Sequence, residues 1–133
     1  MIHTLIHADS RYPVNRKVIK QTVVETFNKN KLGSLDSEVS VAVVGSRKMR
    51  ELADKYMPDG KVHEVLAFPF EDVSSRAGSG FINPSDDILR LGEVVVCWPQ
   101  LIECAREDDM MVDEELAMLI SHGVEHLLGK HHE

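Results

Sequence analysis

The residues best suited to chemistry lie at the end of the chain, where "SHGVEHLLGKHHE" (121–133) holds four of the seven histidines. Imidazole nitrogen is a common zinc ligand, with a bond length of about 2.0 to 2.1 Å. On a helix, His122 and His126 lie one turn apart on one face, separated by about 40° and roughly 6 Å of rise. Both side chains can reach one ion, so the spacing predicts two ligands of a metal site.

A third ligand requires the chain to leave the helix axis and turn back. Gly129 permits that turn, because glycine adopts the left-handed conformation without a Cβ penalty. His132 then has the spacing of a third ligand, and His131 is a residue near the site, a substrate contact or an exposed side chain. Three nitrogen ligands with an open fourth position are typical of catalytic zinc. The competing interpretation is a set of structural histidines at a helix end, where the dipole favours them.

Composition limits the class of protein. With 133 residues, 43% hydrophobic and 28% charged, we expect one domain covering residues 1–133, with no membrane span and no export signal, located in the cytoplasm. The formal charge of −7 argues against a basic surface that holds nucleic acid non-specifically, although a bound metal could create a local anion site. Cys97 and Cys104 are expected to be reduced, and the acidic run "EDDMMVDEE" (107–115) to be solvated surface.

Hydrophobic patterns predict an opening β-α-β unit with parallel strands, in which Gly33 ends the helix. Ser46 is the expected N-cap of a second helix, and Pro69 places the third strand at a sheet edge. A last helix is expected from about Val112 to Leu128, with the histidine pair on it. The predicted strands are Ile2 to His7, Glu38 to Gly45, His63 to Phe70 and Gly92 to Trp98.

The segment "HGVEHLLGKHH" (122–132) closely resembles the signature of the YbeY family, bacterial endoribonucleases that act in ribosomal RNA maturation. Two upstream segments, "HEVLAFPF" (63–70) and "LGEVVVC" (91–97), are similar to two strands of that family in the same order. The resemblance implies an α/β (α+β) fold with a mixed four-stranded sheet, one antiparallel edge strand and the metal site on the C-terminal helix.

In function, the resemblance implies a zinc-dependent endoribonuclease with one Zn²⁺ per chain, acting on ribosomal RNA precursors and in ribosome quality control. The expected partners are RNA and the ribosome or its assembly factors, and the chain is expected to be a monomer. His122, His126 and His132 carry over as the metal ligands. Met57 departs from the family pattern, because it stands where an arginine is expected to face the metal site.

Other residues are candidates for the remaining chemistry. A cation that stabilises the phosphoryl transition state is needed in place of the family arginine, and Arg76 in "SSRAGSG" is the first candidate. Lys61 and His63 are lesser candidates, which with His131 would contact substrate. Glu125 is a candidate general base, although it points about 80° from the midline of the two helical histidines.

Two alternatives remain open at this stage. Metzincin-type zinc peptidases share the three-histidine spacing but carry a glutamate base directly after the first histidine, and this chain has Gly123 there. A catalytically weakened, metal-stabilised module for ribosome assembly is the other alternative, suggested by Met57.

Overall fold

The computed structural model describes residues 1–58, 60, 63–70 and 88–129, which form four strands and four helices. The strands are β1 (Ile2–Ala8), β2 (Ser37–Val44), β3 (Val65–Pro69) and β4 (Leu89–Cys97). The helices are α1 (Arg16–Lys29), α2 (Ser46–Tyr56), α3 (Trp98–Glu107) and α4 (Val112–Leu127). None of the helices in this described part of the chain is long and apolar enough to cross a bilayer.

The four strands form one mixed sheet in the order β1-β2-β4-β3. β1 pairs with β2 and β2 with β4 in parallel, whereas β3 pairs with β4 in the antiparallel direction at the sheet edge. This confirms the α+β class, the parallel β-α-β opening and the antiparallel edge strand. The apolar strand β4 lies inside the sheet, as its sequence predicts for a strand buried on both faces.

Helices cover the two faces of the sheet unequally. Alternate residues of β2, among them Val39, Val41 and Val43, are fully buried in the main core with side chains of α1, α3 and α4. A smaller core on the other face joins Met49 of α2 to Val95 of β4. The main core therefore fixes α4, the helix of the histidine pair, against the sheet.

Two helix ends differ from their predicted positions. α1 ends at Asn30 rather than at Gly33, because Lys31 adopts a left-handed φ of 62° and the N–H of Leu32 returns to the Phe27 carbonyl at 2.8 Å. These bonds satisfy the last carbonyls of the helix before the glycine is reached. At the start of α2, the N-cap is Gly45 rather than Ser46, and it makes no side-chain capping bond.

Gly92 marks an irregularity in β4 on which the packing of α4 depends. The register between β2 and β4 shifts so that Glu38 pairs with Arg90 and Val39 with Gly92, whose φ is +151°. A Cβ at Gly92 would overlap the Phe68 carbonyl oxygen and lie 3.0 Å from Leu127 Cδ2 of α4. Only glycine lets β3, β4 and the end of α4 meet this closely.

We expect Gly92→Ala to lower the free energy of unfolding by about 2 to 4 kcal/mol, because the added methyl group meets backbone and the φ is strained. Gly60→Ala is the control, since Gly60 also has a positive φ, of 71°, but open space where its Cβ would be. That variant should lose only about 1 kcal/mol. Urea unfolding measures both, and equal losses would contradict the packing role of Gly92.

Candidate metal centre

The two helical histidines lie together in the last turns of α4. His122 and His126 are both exposed and fall on the same face of the helix, as their spacing predicts. The helix then ends at Leu128, and Gly129 follows with a φ of +86°, the conformation expected for the reversal. The N–H of Leu128 returns to the Val124 carbonyl at 2.9 Å and that of Gly129 to the His126 carbonyl at 3.1 Å.

This arrangement fits a zinc ion on three physical grounds. Two imidazoles project from adjacent turns into solvent, so an ion can reach them without entering the core. The ligands also sit at the C-terminal end of α4, where the helix dipole favours positive charge. Finally, the left-handed Gly129 turns the chain back on the helix. The predicted third ligand, His132, lies outside the described residues, as does His131, and the described part of the chain holds no cluster of three ligand side chains.

Gly123 explains how this helix reaches the sheet. An added Cβ there would lie 2.6 Å from Cγ1 and 3.0 Å from Cγ2 of Val94, which is fully buried in β4. Valine cannot easily move out of the way, since its branched side chain has one strongly preferred rotamer. A glutamate at position 123, which a metzincin-type peptidase requires as its base, would therefore force α4 away from the sheet. The close packing argues against the peptidase alternative.

Glu125 lies toward α1 rather than toward the histidine face. Its Oε1 is 4.0 Å from Nζ of Lys29, which is mostly exposed, while the Glu125 side chain is 20% exposed. Nearby, Thr26 of α1 donates a hydrogen bond to Ser121 at 3.3 Å. The Glu125 carboxylate thus belongs to the α1–α4 contact, which favours a structural ion pair over the predicted role of general base.

The other predicted residues are placed unequally. His63 is described, and it lines a cavity of about 350 Å³ that it shares with α2 residues such as Met49 and with Cys97, so it faces α2 rather than α4. Met57 caps the C-terminus of α2 and is 46% exposed. Arg76 and Lys61 lie outside the described residues.

The end of α2 is held against the edge strand β3. The ring of Tyr56 packs edge-on against Phe68 of β3, with centroids 5.1 Å apart. Phe68 in turn lies beside Gly92, which contacts Leu127 next to the second histidine. Position 57, where the family pattern has arginine, therefore borders the same edge strand as the histidine pair.

One acidic residue departs from the prediction of a solvated run. Glu115 is fully buried in α4, and no hydrogen-bond partner is found for either of its carboxylate oxygens among the described residues. Its spacing of seven residues from His122 puts it on the histidine stripe, two turns nearer the N-terminus. Burial raises the pKa of Glu115, and the neighbouring carboxyl groups of Asp108 and Glu64 raise it further. The sequence analysis missed this residue; its i, i+7 spacing to His122 was the available signal.

A four-stranded mixed sheet with two ligand-type histidines on its last helix is the arrangement expected of a small metal-dependent hydrolase. A family model described as "Endoribonuclease YbeY" matches residues 5–133. The "Endoribonuclease YbeY" of Dehalococcoides mccartyi is 31% identical over 136 residues, covering 99% of this chain and 84% of the relative. That of Acinetobacter baumannii is 32% identical over 118 residues, covering 89% and 68% respectively.

A solved structure is also similar to this chain. The solution structure of a Thermotoga maritima protein aligns with a TM-score of 0.56 and 25% identity, covering all of this chain and 75% of the other. Together with the sequence matches, these findings give the family: the chain belongs to the YbeY endoribonucleases, and it is an enzyme of the nuclease class.

The raised pKa of Glu115 predicts a pH-dependent stability. The folded chain holds this proton more tightly than the unfolded chain, so the stabilisation is complete below the ordinary pKa of 4.5 and is lost as the pH rises through the folded value. Glu115→Gln removes the titration. We expect its gain in free energy of unfolding over the parent to be larger at pH 8 than at pH 4. Glu25→Gln, at an exposed site on α1, is the control in parallel urea titrations; a gain at Glu115 that did not change with pH would contradict the argument.

Proposed function

We propose that this chain is a zinc-dependent endoribonuclease that cuts single-stranded regions of ribosomal RNA precursors in the cytoplasm. The observation that carries the proposal is the exposed histidine pair, His122 and His126, followed by the left-handed Gly129, in a chain of the YbeY family. We propose His132 as the third ligand, from its spacing and from the family signature. The relatives named as endoribonucleases support RNA as the substrate.

The residues of the chain divide the work of the reaction. The histidines hold the ion at the exposed edge of the domain, where a long polymer can reach it. When bound, zinc lowers the pKa of a coordinated water toward about 7 and polarises a phosphoryl oxygen. Gly123 keeps the helix close to β4 and so fixes the position of both imidazoles relative to the edge strand β3. Because β3 borders both the histidines and the end of α2, we propose that the RNA strand lies along this edge.

A cation must also balance the charge that develops on the phosphoryl oxygens. Met57 cannot supply it, and we propose Arg76 for this role, with Lys61 and His63 as weaker contacts to the phosphate chain. His131 is proposed as a substrate contact beside the ligand at position 132. Contacts with the ribosome or its assembly factors and a role in ribosome quality control remain part of the proposal, as does the monomeric state.

We expect His126→Ala to lose stoichiometric zinc and to reduce cleavage of a labelled single-stranded RNA by at least about 10³-fold, while keeping the fold. Removing a solvent-exposed imidazole leaves the core intact, so circular dichroism and thermal unfolding should match the parent. His3→Ala, on β1 and far from α4 in the chain, is the matched control.

Metal analysis also separates the two candidate third ligands. His132→Ala should lose zinc and His131→Ala should retain it; the reverse result would give the third position to His131. A zinc-loaded parent that leaves RNA intact would refute the nuclease proposal and favour the assembly module, and zinc-dependent cleavage of casein would restore the peptidase.

For the missing arginine, we expect Arg76→Ala to lower the RNA cleavage rate by about 10² to 10³ without changing the zinc content. Arg76→Lys should recover part of the rate, because it restores the charge but not the paired hydrogen bonds of a guanidinium. Arg106→Ala, an exposed arginine of α3 paired with Glu103, is the control. Parent-level cleavage by Arg76→Ala would exclude that residue.

A further inference from the structure

A second surface of the molecule has the opposite charge to the chain as a whole. An open groove of about 760 Å³ lies where β1 and β2 end and α2 begins, and no described residue of α4 lines it. Its charged lining has four cationic side chains against two carboxylates, in a chain whose net charge is −7. These side chains are Arg11, Arg16, Arg47 and Lys48 on the basic side, and Asp9 and Glu51 on the acidic side.

The basic side chains come from separate segments that the fold brings together. β1 and β2 are parallel neighbours, so their carboxyl ends at Ala8 and Val44 open on the same edge of the sheet. This edge is where open α/β sheets commonly bind ligands. Arg16 begins α1 and Arg47 begins α2, so residues 31 positions apart in the sequence face one groove.

One of these cations is held in a fixed position. Arg11 donates from Nε and Nη2 to the Asp9 carboxylate at 3.0 Å and 2.7 Å. The hydrogen bond from Arg11 also lowers the pKa of Asp9 to about 2, so the carboxylate stays ionised and the pair stays formed near neutral pH. The guanidinium retains Nη1 outside that pair, which can donate to an incoming anion.

The remaining cations are placed against the interest of helix stability. The first turn of α2 contains Arg47 and Lys48 and no acidic residue, although helix N-termini favour negative charge. α4 shows the usual pattern, with Asp113 and two glutamates in its first turn. Neither Arg47 nor Lys48 contributes to the buried core, so their positions are best explained by a bound anion rather than by folding.

We propose that this groove binds the phosphate backbone of an RNA strand, as a contact surface separate from the metal centre. The inference rests on the proposed function, since it takes RNA as the substrate. The groove lies at the β1–β2 side of the sheet and the histidines near β3, so three strand spacings, about 14 Å, separate them across the sheet alone. A strand of several nucleotides can therefore contact both, and the groove adds affinity that depends on charge and not on base sequence.

The test compares RNA binding by two charge variants with the parent. Fluorescence anisotropy measures the Kd of a 24-nucleotide single-stranded RNA over a range of KCl concentrations, with every chain carrying His126→Ala so that the RNA stays intact. We expect the added pair Arg47→Ala and Lys48→Ala to raise Kd by about tenfold at low salt. The slope of log Kd against log salt should fall by about 1.4, the value for two lost contacts to a single strand.

A matched pair on another surface serves as the control. Lys17→Ala with Lys20→Ala removes the same charge from exposed positions of α1 that do not line the groove, and Kd should change by less than about twofold. Equal weakening by both pairs would mean that the effect is one of net charge, and it would overturn the proposal, as would an unchanged Kd in the groove variant.

Two further arms separate other outcomes. If calorimetry finds that inorganic phosphate binds the parent at submillimolar Kd and is lost in the groove variant while RNA binding is unchanged, the groove serves a small phosphate ligand and the RNA proposal is wrong. RNA cleavage by the chain with His126 intact is measured separately. A failure there with a groove-dependent Kd would refute the nuclease proposal alone.

Discussion

The close contact between α4 and β4 is the constraint on which the candidate site depends. Gly123 removes the Cβ that would otherwise lie 2.6 Å from Val94, and Gly92 removes the one that would press on Leu127. Because interiors pack at near-crystalline density, a helix cannot be shifted outward without leaving voids along its whole length. The two glycines thus fix α4 in depth, and with it the two imidazoles one turn apart on its outer side.

The same contact explains which part of the domain is left for substrate. α4 buries Leu116, Ile120 and Val124 against the sheet, so the histidines, about a quarter of a turn or more away, emerge beside the edge strand β3. The edge is short, antiparallel and ends at Pro69. Such an edge resists pairing with another chain. It remains accessible to a polymer that binds through phosphates rather than through strand hydrogen bonds.

The sequence was sufficient where one local rule decides the structure. Alternating burial in β2, the all-apolar β4, and the spacing of the histidines were each readable from neighbours along the chain, and the left-handed Gly129 follows from its position after an apolar helical repeat. The end of α1 was mispredicted because Lys31 accepted the left-handed conformation that glycine usually takes. The hydrogen bonds of Leu32 and Lys31 to the last turn offset that strain, and no local pattern encodes such a balance.

Charge was the least predictable feature, since its effect depends on which segments the fold brings together. Glu115 belongs to a run that looks solvated, yet α3 and α4 enclose it beside Asp108. The basic groove is the converse case, because Arg11, Arg16 and Arg47 are far apart in an acidic chain and meet only when β1 and β2 align in parallel. A net charge of −7 therefore says little about nucleic-acid binding here: the fold concentrates acidic groups near the start of α4 and basic ones at the opposite sheet edge, so an RNA strand meets a local field of the right sign.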